Sequence, residues 1–268
     1  MESVHSEDEF QSLKNNRVIG NPKLINSTVN FTGVGNVLYC ENNVHIMNSY
    51  INFGGNNCLI YLSSSNSAYP LNLQVFHDSV VYIGKNNNMA APININIQEH
   101  QNLIIGDDGI IGSGTNIRTS DASPIFDIET KRRINHSRSV YIGDHVWLGH
   151  LSYISRGVEI GSGSILSNNS HVEANEILGS NKVYSGNPSR EVKDDVFFTN
   201  TYVGAFTKED SSTVEDYTSR IYSYSYKPGE SLSSEKLDEI FDRLSVEDKI
   251  EFIQKLFVQN KKHDRFSI

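Results

Sequence analysis

From Ile142 onward a branched aliphatic residue returns at every sixth position: Ile142, Leu148, Ile154, Ile160, Leu166, Val172 and Leu178. The position after it is small at Gly143, Gly149, Ser155, Gly161 and Ser167, and the fourth position after it is Val146, Ser152, Val158, Ser164 or Ser170. An earlier run, Ile105, Ile111 and Ile117, keeps the same spacing, with Gly106 and Gly112 following. A period of six matches neither an amphipathic helix nor a simple alternating strand. It matches a chain that turns a corner every six residues and points the aliphatic into a narrow triangular core. Three such sides make a coil of about eighteen residues, the hexapeptide β-helix repeat. Small residues belong beside the corner because the backbone turns tightly there. An ordinary β-sandwich would need this spacing by accident, and seven consecutive hits in phase argue against it.

Between Val18 and Leu103 the pattern is looser, with short aliphatic and aromatic runs broken by Asn and Gly, as in "NFTGVGNVLYCENN" and "NFGGNNCLIYLSSS". Asn tolerates the left-handed conformation, so Asn-rich corners predict the same solenoid with degenerate repeats. Cys40 and Cys58 lie eighteen positions apart, one predicted coil, which stacks them as buried thiols. After Phe206 the period disappears, and a polar stretch with scattered tyrosines reads as an irregular connection. Helical spacing then begins, with Leu237, Ile240, Phe241 and Leu244 on one stripe and Ile250, Ile253, Leu256 and Phe257 on a second. Ser245 and Asp248 form a capping-box variant between them. Two short helices cannot bury such stripes alone, so they are expected to dock on the coil stack or on another subunit. The organisation read from the chain is a polar segment at 1–17, a β-helix at 18–204 with a protruding loop at 119–139, a linker at 205–230 and a helical extension at 231–268.

The formal charge of −9 on 268 residues disfavours nucleic acid and leaves at most peripheral contact with an anionic membrane. No apolar run is long enough to span a bilayer. The N-terminal stretch is acidic and lacks the layout of a signal peptide, so a cytoplasmic protein is expected. Two cysteines do not make a disulfide scaffold.

Three segments carry a family resemblance: "IRTSDASPIFDIETKRRIN", "SVYIGDHVWLGHLSYISRGVEIGSGSILSNNSHV" and "VYSGNPSREVK". Together they resemble the hexapeptide-repeat acyltransferases that fold as a left-handed parallel β-helix. Within that group they are most similar to the O-acetyltransferases of bacterial capsular and surface polysaccharides. The last segment has Ser189 where the family's Gly-Asn-Pro-Ala usually has Ala. The resemblance covers the central and C-terminal coils well, the first hundred residues only by repeat character, and the C-terminal helices not at all. It implies an all-β fold, a homotrimer, acetyl-CoA as co-substrate in the groove between adjacent stacks, a saccharide acceptor and no metal.

Acetyl transfer to a sugar hydroxyl needs a base of pKa near the working pH, a donor for the tetrahedral oxyanion, and alignment of both substrates. The resembling enzymes carry the base as histidine in a segment of the form Ser/Thr-Asp-x-His-Pro-Ile. Here that segment is Ser120-Asp121-Ala122-Ser123-Pro124-Ile125, with Ser123 at the histidine position. A serine is no general base at neutral pH, and as a nucleophile it needs a base beside it. Three readings stand open: the substitution disables the site, another histidine (His136, His145 or His150) has taken over, or the protein binds without catalysing. By motif match Asp121 would orient the base or bind an acceptor hydroxyl, against the alternative of a local turn residue. Arg118, Arg133, Asn135 and His136 would line the acceptor side. Trp147, the single tryptophan, would lie by the thioester, its N–H donating and its face packing on the pantetheine; the alternative is a core or interface ring. His145 is expected to face solvent or the acceptor groove. Gly149, Ser167, Gly186 and Lys193 would sit near CoA, although Gly149 and Ser167 also satisfy the repeat with no ligand. A zinc site fails on Ser155, which stands where a second histidine would follow His150. Two further functions remain: N-acetylation of a nucleotide-linked amino sugar, for which the chain lacks a Gly-rich phosphate loop, and a non-catalytic binding or assembly role.

Overall fold

The computed structural model describes residues 1–268. It is a triangular parallel β-helix with three sheets as its sides. The first face has eight strands, from Glu2–Val4 and Thr28–Phe31 through Asn116–Arg118 to His171–Val172. The second has eight, from Arg17–Ile19 to Ile177–Leu178. The third has six, including Trp147–Leu148, Ile165–Leu166 and Val183–Gly186, and ends on the antiparallel strand Ser189–Lys193. A two-stranded sheet, Lys23–Ile25 with His45–Met47, forms the remaining part of the stack.

The six-residue rule holds in the C-terminal coils. Tyr141 pairs with Glu159 and Glu159 with Ile177, steps of eighteen. Ile142, Ile160 and Leu178 stack inward and are almost fully buried. The N-terminal coils are wider: Arg17 pairs with Val37, Val37 with Leu59, Leu59 with Val80 and Val81 with Leu103, steps of 20, 22, 21 and 22. Strands of four or five residues there hold two or three inward positions each, and the larger bore takes aromatics such as Phe31 and Phe53, stacked at 4.7 Å. This width corrects the expected cysteine stack. Both thiols are buried and free, but Cys40 pairs with Leu62, and Cys58 sits at a corner before the strand Leu59–Leu62. Burial pushes both thiols up, Cys58 to about 12, so neither is reactive. Asparagine supplies left-handed corners, among them Asn26, Asn43, Asn57, Asn86 and Asn169.

Residues 1–17 cap the open end of the stack. Glu2–Val4 pairs antiparallel with Thr28–Phe31, and the 3-10 turn Glu7–Ser12 follows. At the other side of the molecule, helices Ser234–Phe241 and Val246–Ile253 lie on the outward side of the second face. Their apolar stripes meet Leu59, Tyr61, Val80, Tyr82, Ile104 and Tyr141, so the helices dock on their own coil stack. Asp238 accepts hydrogen bonds from Ser139, Tyr141 and Asn102 at 2.6, 2.6 and 2.8 Å. Ser245 caps the second helix by accepting from the Asp248 N–H. No helix is long and apolar enough to cross a membrane.

Candidate functional site

The loop leaves the first face after Arg118 and rejoins the second at Val140, so it rises from the corner between those two faces. Phe126 and Arg133 bridge across it, and Asp127 closes its tip by accepting from the Glu129 and Thr130 N–H groups. Asn135, 3% exposed, holds the arms together. Its Oδ1 accepts from the Ile125 N–H at 2.7 Å, and its Nδ2 donates to the Ser123 carbonyl at 2.9 Å and to Asp121 Oδ2 at 3.0 Å. Asn135 thus uses its side-chain amide to shape the loop. Arg133 is also committed, pairing both terminal nitrogens with Glu99 at 2.6 and 2.7 Å. The Arg133 hydrogen bonds hold Glu99 well below the usual carboxylate range, at about 2, with Ser137 adding a further donor.

Asp121 is fixed by Arg156 Nε at 2.9 Å as well as by Asn135. Partial burial opposes its charge, but those donors and the Arg156 charge hold its carboxyl below the ordinary value. Ala122 takes a left-handed backbone, φ 69°, which carries Ser123 out to solvent at the loop shoulder. The Ser123 hydroxyl has no base against it; only its carbonyl is engaged.

Trp147 stands on the third face, 40% exposed, with Phe198 tilted beside it at 5.6 Å. Gly149 and Ser167 follow at the corner between the third and first faces, and Gly186 ends the strand Val183–Gly186 next along. A Cβ at Gly149 would stand 2.5 Å from the Asn168 nitrogen, so coil packing alone demands this glycine. Lys193 is exposed opposite Val183 at the end of the same sheet. The structure thus gathers Trp147, Gly149, Ser167, Gly186 and Lys193 along one face and its edge. It gathers Asp121, Ser123, Arg133, Asn135 and His136 in the loop. The two groups are on opposite sides of the prism, because the loop corner faces away from the third face.

The three spare histidines separate clearly. His145, 1% exposed, lies between Phe198 (3.9 Å) and Tyr222 (4.2 Å), with its Nδ1 and Nε2 facing the carbonyls of Asp108 and Phe198. It is a buried clamp for the segment after Lys193, where a solvent- or acceptor-facing ring was expected. His150 is exposed, but its Nδ1 accepts from the Ser113 N–H at 3.0 Å, which leaves the ring proton of the neutral form on Nε2. His136 is exposed at the foot of the loop, where its carbonyl accepts from Arg156. Arg118 donates to the Tyr153 hydroxyl at 3.3 Å on the first face.

Sequence reasoning missed Glu99, Arg156, Phe198 and Tyr222. Each acts from a neighbouring coil or a returning segment, and no local spacing ties it to its partner. It also missed the buried pairing of Arg265 with Asp144 (2.7 Å) and Asp107 (2.9 Å), which fastens the C-terminal tail to the "GDHVWLG" corner. Burial pushes the Asp107 carboxyl up to about 6 against the pull of Arg265.

Residues 139–174 match the bacterial transferase hexapeptide family (six repeats). A polysialic acid O-acetyltransferase of Neisseria meningitidis is 44% identical over 50 residues, 19% of this chain; the match spans 23% of that relative's length. Among solved structures, the polySia-specific acetyltransferase NeuO superposes with a TM-score of 0.64 at 28% identity, over 74% of this chain and 93% of that one. The polysialic acid O-acetyltransferase OatWY superposes at 0.61 and 26% identity, over 75% and 95%. Repeat, loop and superposition give this chain the fold of the left-handed β-helix acyltransferases and make it similar to the polysaccharide O-acetyltransferases.

Proposed function

We propose that the protein transfers an acetyl group from acetyl-CoA to a hydroxyl of a bacterial surface polysaccharide, in the cytoplasm, as a homotrimer. The observation that carries this reading is the division of the site. Trp147 and the small-residue corner stand on one side of the prism and the shaped loop on the other, so the two parts meet only when the loop of one copy approaches the third face of the next. The helices already occupy the second face, which leaves the first and third faces for such contacts. Ile125, Phe126, Ile128 and Ile134 project from the loop with more than half their surface exposed, apolar area suited to a neighbouring subunit.

In this reading acetyl-CoA lies along the third face. The Trp147 ring packs on its pantetheine, and the indole N–H donates to the oxyanion as the tetrahedral centre forms. Asp121, held by Arg156 and Asn135, accepts from an acceptor hydroxyl and orients it. The attacking oxygen bonds to the thioester carbon as its proton passes to a base. Collapse of the tetrahedral centre then breaks the C–S bond, the base returning that proton so that CoA leaves as the thiol. Ser123 supplies no such base, and His145 and His150 are engaged elsewhere. The site is thereby built for transfer but lacks its loop base.

The test is acetyl-CoA turnover, followed as free thiol, for the protein and its Ser123→His variant with de-acetylated surface polysaccharides. Histidine is expected to raise turnover roughly a hundredfold, the usual contribution of a general base. Equal activity of the two would hand proton transfer to another residue, with His136 first in line. Turnover by neither, with CoA still bound, would favour a binding role.

A further inference from the structure

The corner below the loop holds a hydroxyl and an imidazole that no part of the proposed reaction uses. Ser155, Arg156 and Gly157 turn from the first face to the second one coil beyond the loop, at the corner from which the loop rises. Arg156 ties that corner to the loop through Asp121 at 2.9 Å. On the first face Tyr153 pairs with His171, and the inward Ile154 and Val172 put Tyr153, Ser155 and His171 on the outer side. His171 Nε2 lies 2.9 Å from Ser155 Oγ, and the Tyr153 ring meets the imidazole edge-on at 4.8 Å. Arg118 follows Ile117, which pairs with Ile154, and so stands opposite Ser155 while donating to the Tyr153 hydroxyl at 3.3 Å. All four side chains are half-buried, open enough for a reactant and fixed enough to hold a geometry.

The repeat requires only a small residue at 155 and an outward one at 171, so the fold explains neither the hydroxyl nor the imidazole. A hydroxyl becomes a nucleophile when a base within hydrogen-bond reach takes its proton, and an imidazole does so near neutral pH. Ser123 lacks that neighbour; Ser155 has it. Arg118 supplies a fixed positive charge on the same side for an oxyanion. His171 makes its side-chain hydrogen bond to Ser155 and none to a carboxylate, so packing on Tyr153 orients the ring. The pair is thus a slower device than a loop histidine, and the gain expected from Ser123→His stands.

We propose that Ser155 and His171 form a nucleophile–base pair that carries the acyl group through an acetyl-serine. In the first half Ser155 Oγ bonds to the thioester carbon as its proton passes to His171 Nε2, with Arg118 beside the oxyanion. Collapse breaks the C–S bond, and His171 returns the proton to the sulfur, releasing CoA as the thiol. In the second half an acceptor hydroxyl bonds to the ester carbon and gives its proton to His171. The C–Oγ bond then breaks and Ser155 recovers its proton. Trp147 and Tyr153 lie on the same coil, so in a trimer with its axis along the stack the neighbouring Trp147 stands at the height of the pair. The thioester donor and that meeting rest on the acetyltransferase reading; the pair itself does not.

The experiment incubates the full-length protein, without acceptor, with acetyl-CoA and in parallel with p-nitrophenyl acetate, an activated ester. Acid-quenched samples are read by intact mass and peptide mapping. A single acetyl group is expected on Ser155, with a matching burst of thiol or nitrophenol. Ser155→Ala should abolish the label, Ser155→Cys should retain it as a thioester, and His171→Gln should slow labelling roughly a hundredfold. The site of the label in the parent is read directly and so does not depend on how any variant folds. No label at Ser155 from either donor, or labelling that His171→Gln leaves at the parent rate, would overturn the pair and leave a hydrogen bond that only packs the corner. Label from the ester but not from acetyl-CoA would keep the pair and remove the acetyl-CoA reading. Acetyl transfer to a saccharide at the parent rate in Ser155→Ala would keep the enzyme and remove the pair.

Discussion

The wide coils at the N-terminal end and the narrow coils at the C-terminal end fill the same triangular plan by different means. A narrow coil has two-residue strands with one inward aliphatic per side, so Leu148, Ile154 and Ile160 almost complete its core. Tyr184 is the one ring that stacks inward there, under Leu166, while Trp147, beside the inward Leu148, is turned out onto the third face. A wide coil has two or three inward positions on its longer strands and encloses stacked aromatics. Its second face is apolar outside as well, with Tyr61 and Tyr82 fully buried beneath the helices. The narrow coils are thus closed by backbone and small residues, while the wide coils depend on a cover supplied by the last forty residues of the chain.

The largest effect that tests this contrast is expected from Phe257→Ala. Phe257 is fully buried, 4.9 Å from the Tyr82 ring and 5.7 Å from Phe266. Its truncation should cost about 3–5 kcal/mol in denaturant unfolding, the usual range for a buried aromatic. Hydrogen exchange should show the loss first in the wide-coil strands Leu59–Leu62 and Val80–Ile83, with Glu159–Ile160 and Ile165–Leu166 following later. An even loss along the whole stack would mean that wide and narrow coils unfold as one unit and that the contrast is only geometric.

The same contrast explains what could be read from the chain. The narrow coils were legible because one aliphatic per side leaves a strict six-residue mark, unbroken from Ile142 to Leu178. The wide coils were legible only in character, since steps of 20 to 22 residues scramble any fixed period, and the cysteine spacing of eighteen misled for that reason. The helix stripes and the Ser245 cap were visible because their signals are local. The loop was visible as an interruption, but its internal wiring was not: Arg133 reaches Glu99 34 positions back, and Arg156 reaches Asp121 35 positions back. His145 shows the limit most plainly. Its place in a specific motif suggested chemistry, while its partners Phe198 and Tyr222 come from a segment with no periodic signal at all.

A middle-sized effect should come from the loop. Asn135→Ala removes the three hydrogen bonds that join the loop arms and leaves the Ser123 carbonyl and the Ile125 N–H without that partner. A loss of about 1–3 kcal/mol in local stability is expected, read as faster exchange in residues 119–139 with little change in the neighbouring strands Tyr153–Ile154 and His171–Val172. If those strands loosen equally, the loop is part of the narrow-coil core rather than an attachment to it.

The smallest effect is acid sensitivity of that loop, and its sign follows from Glu99. Glu99 lies in a wide coil, and its carboxyl falls from an ordinary 4.5 to about 2 in the folded protein because Arg133 and Ser137 donate to it. A depressed carboxylate contributes its stabilisation in full above the unfolded value and loses it as pH falls through the folded one. Loop protection should therefore be constant above about 4.5 and decline as the solution is taken towards about 2. Asp121 shifts in the same direction through Arg156 and Asn135, and adds to the decline. The Glu99 side chain is nearly half exposed, so solvent screening keeps the effect modest. Glu99→Gln should weaken the loop at neutral pH and remove most of the slope between about pH 4.5 and 2. A slope that survives in Glu99→Gln would assign it to Asp121, and would mean that the loop is tied to the narrow coils through Arg156 rather than to the wide coils through Arg133.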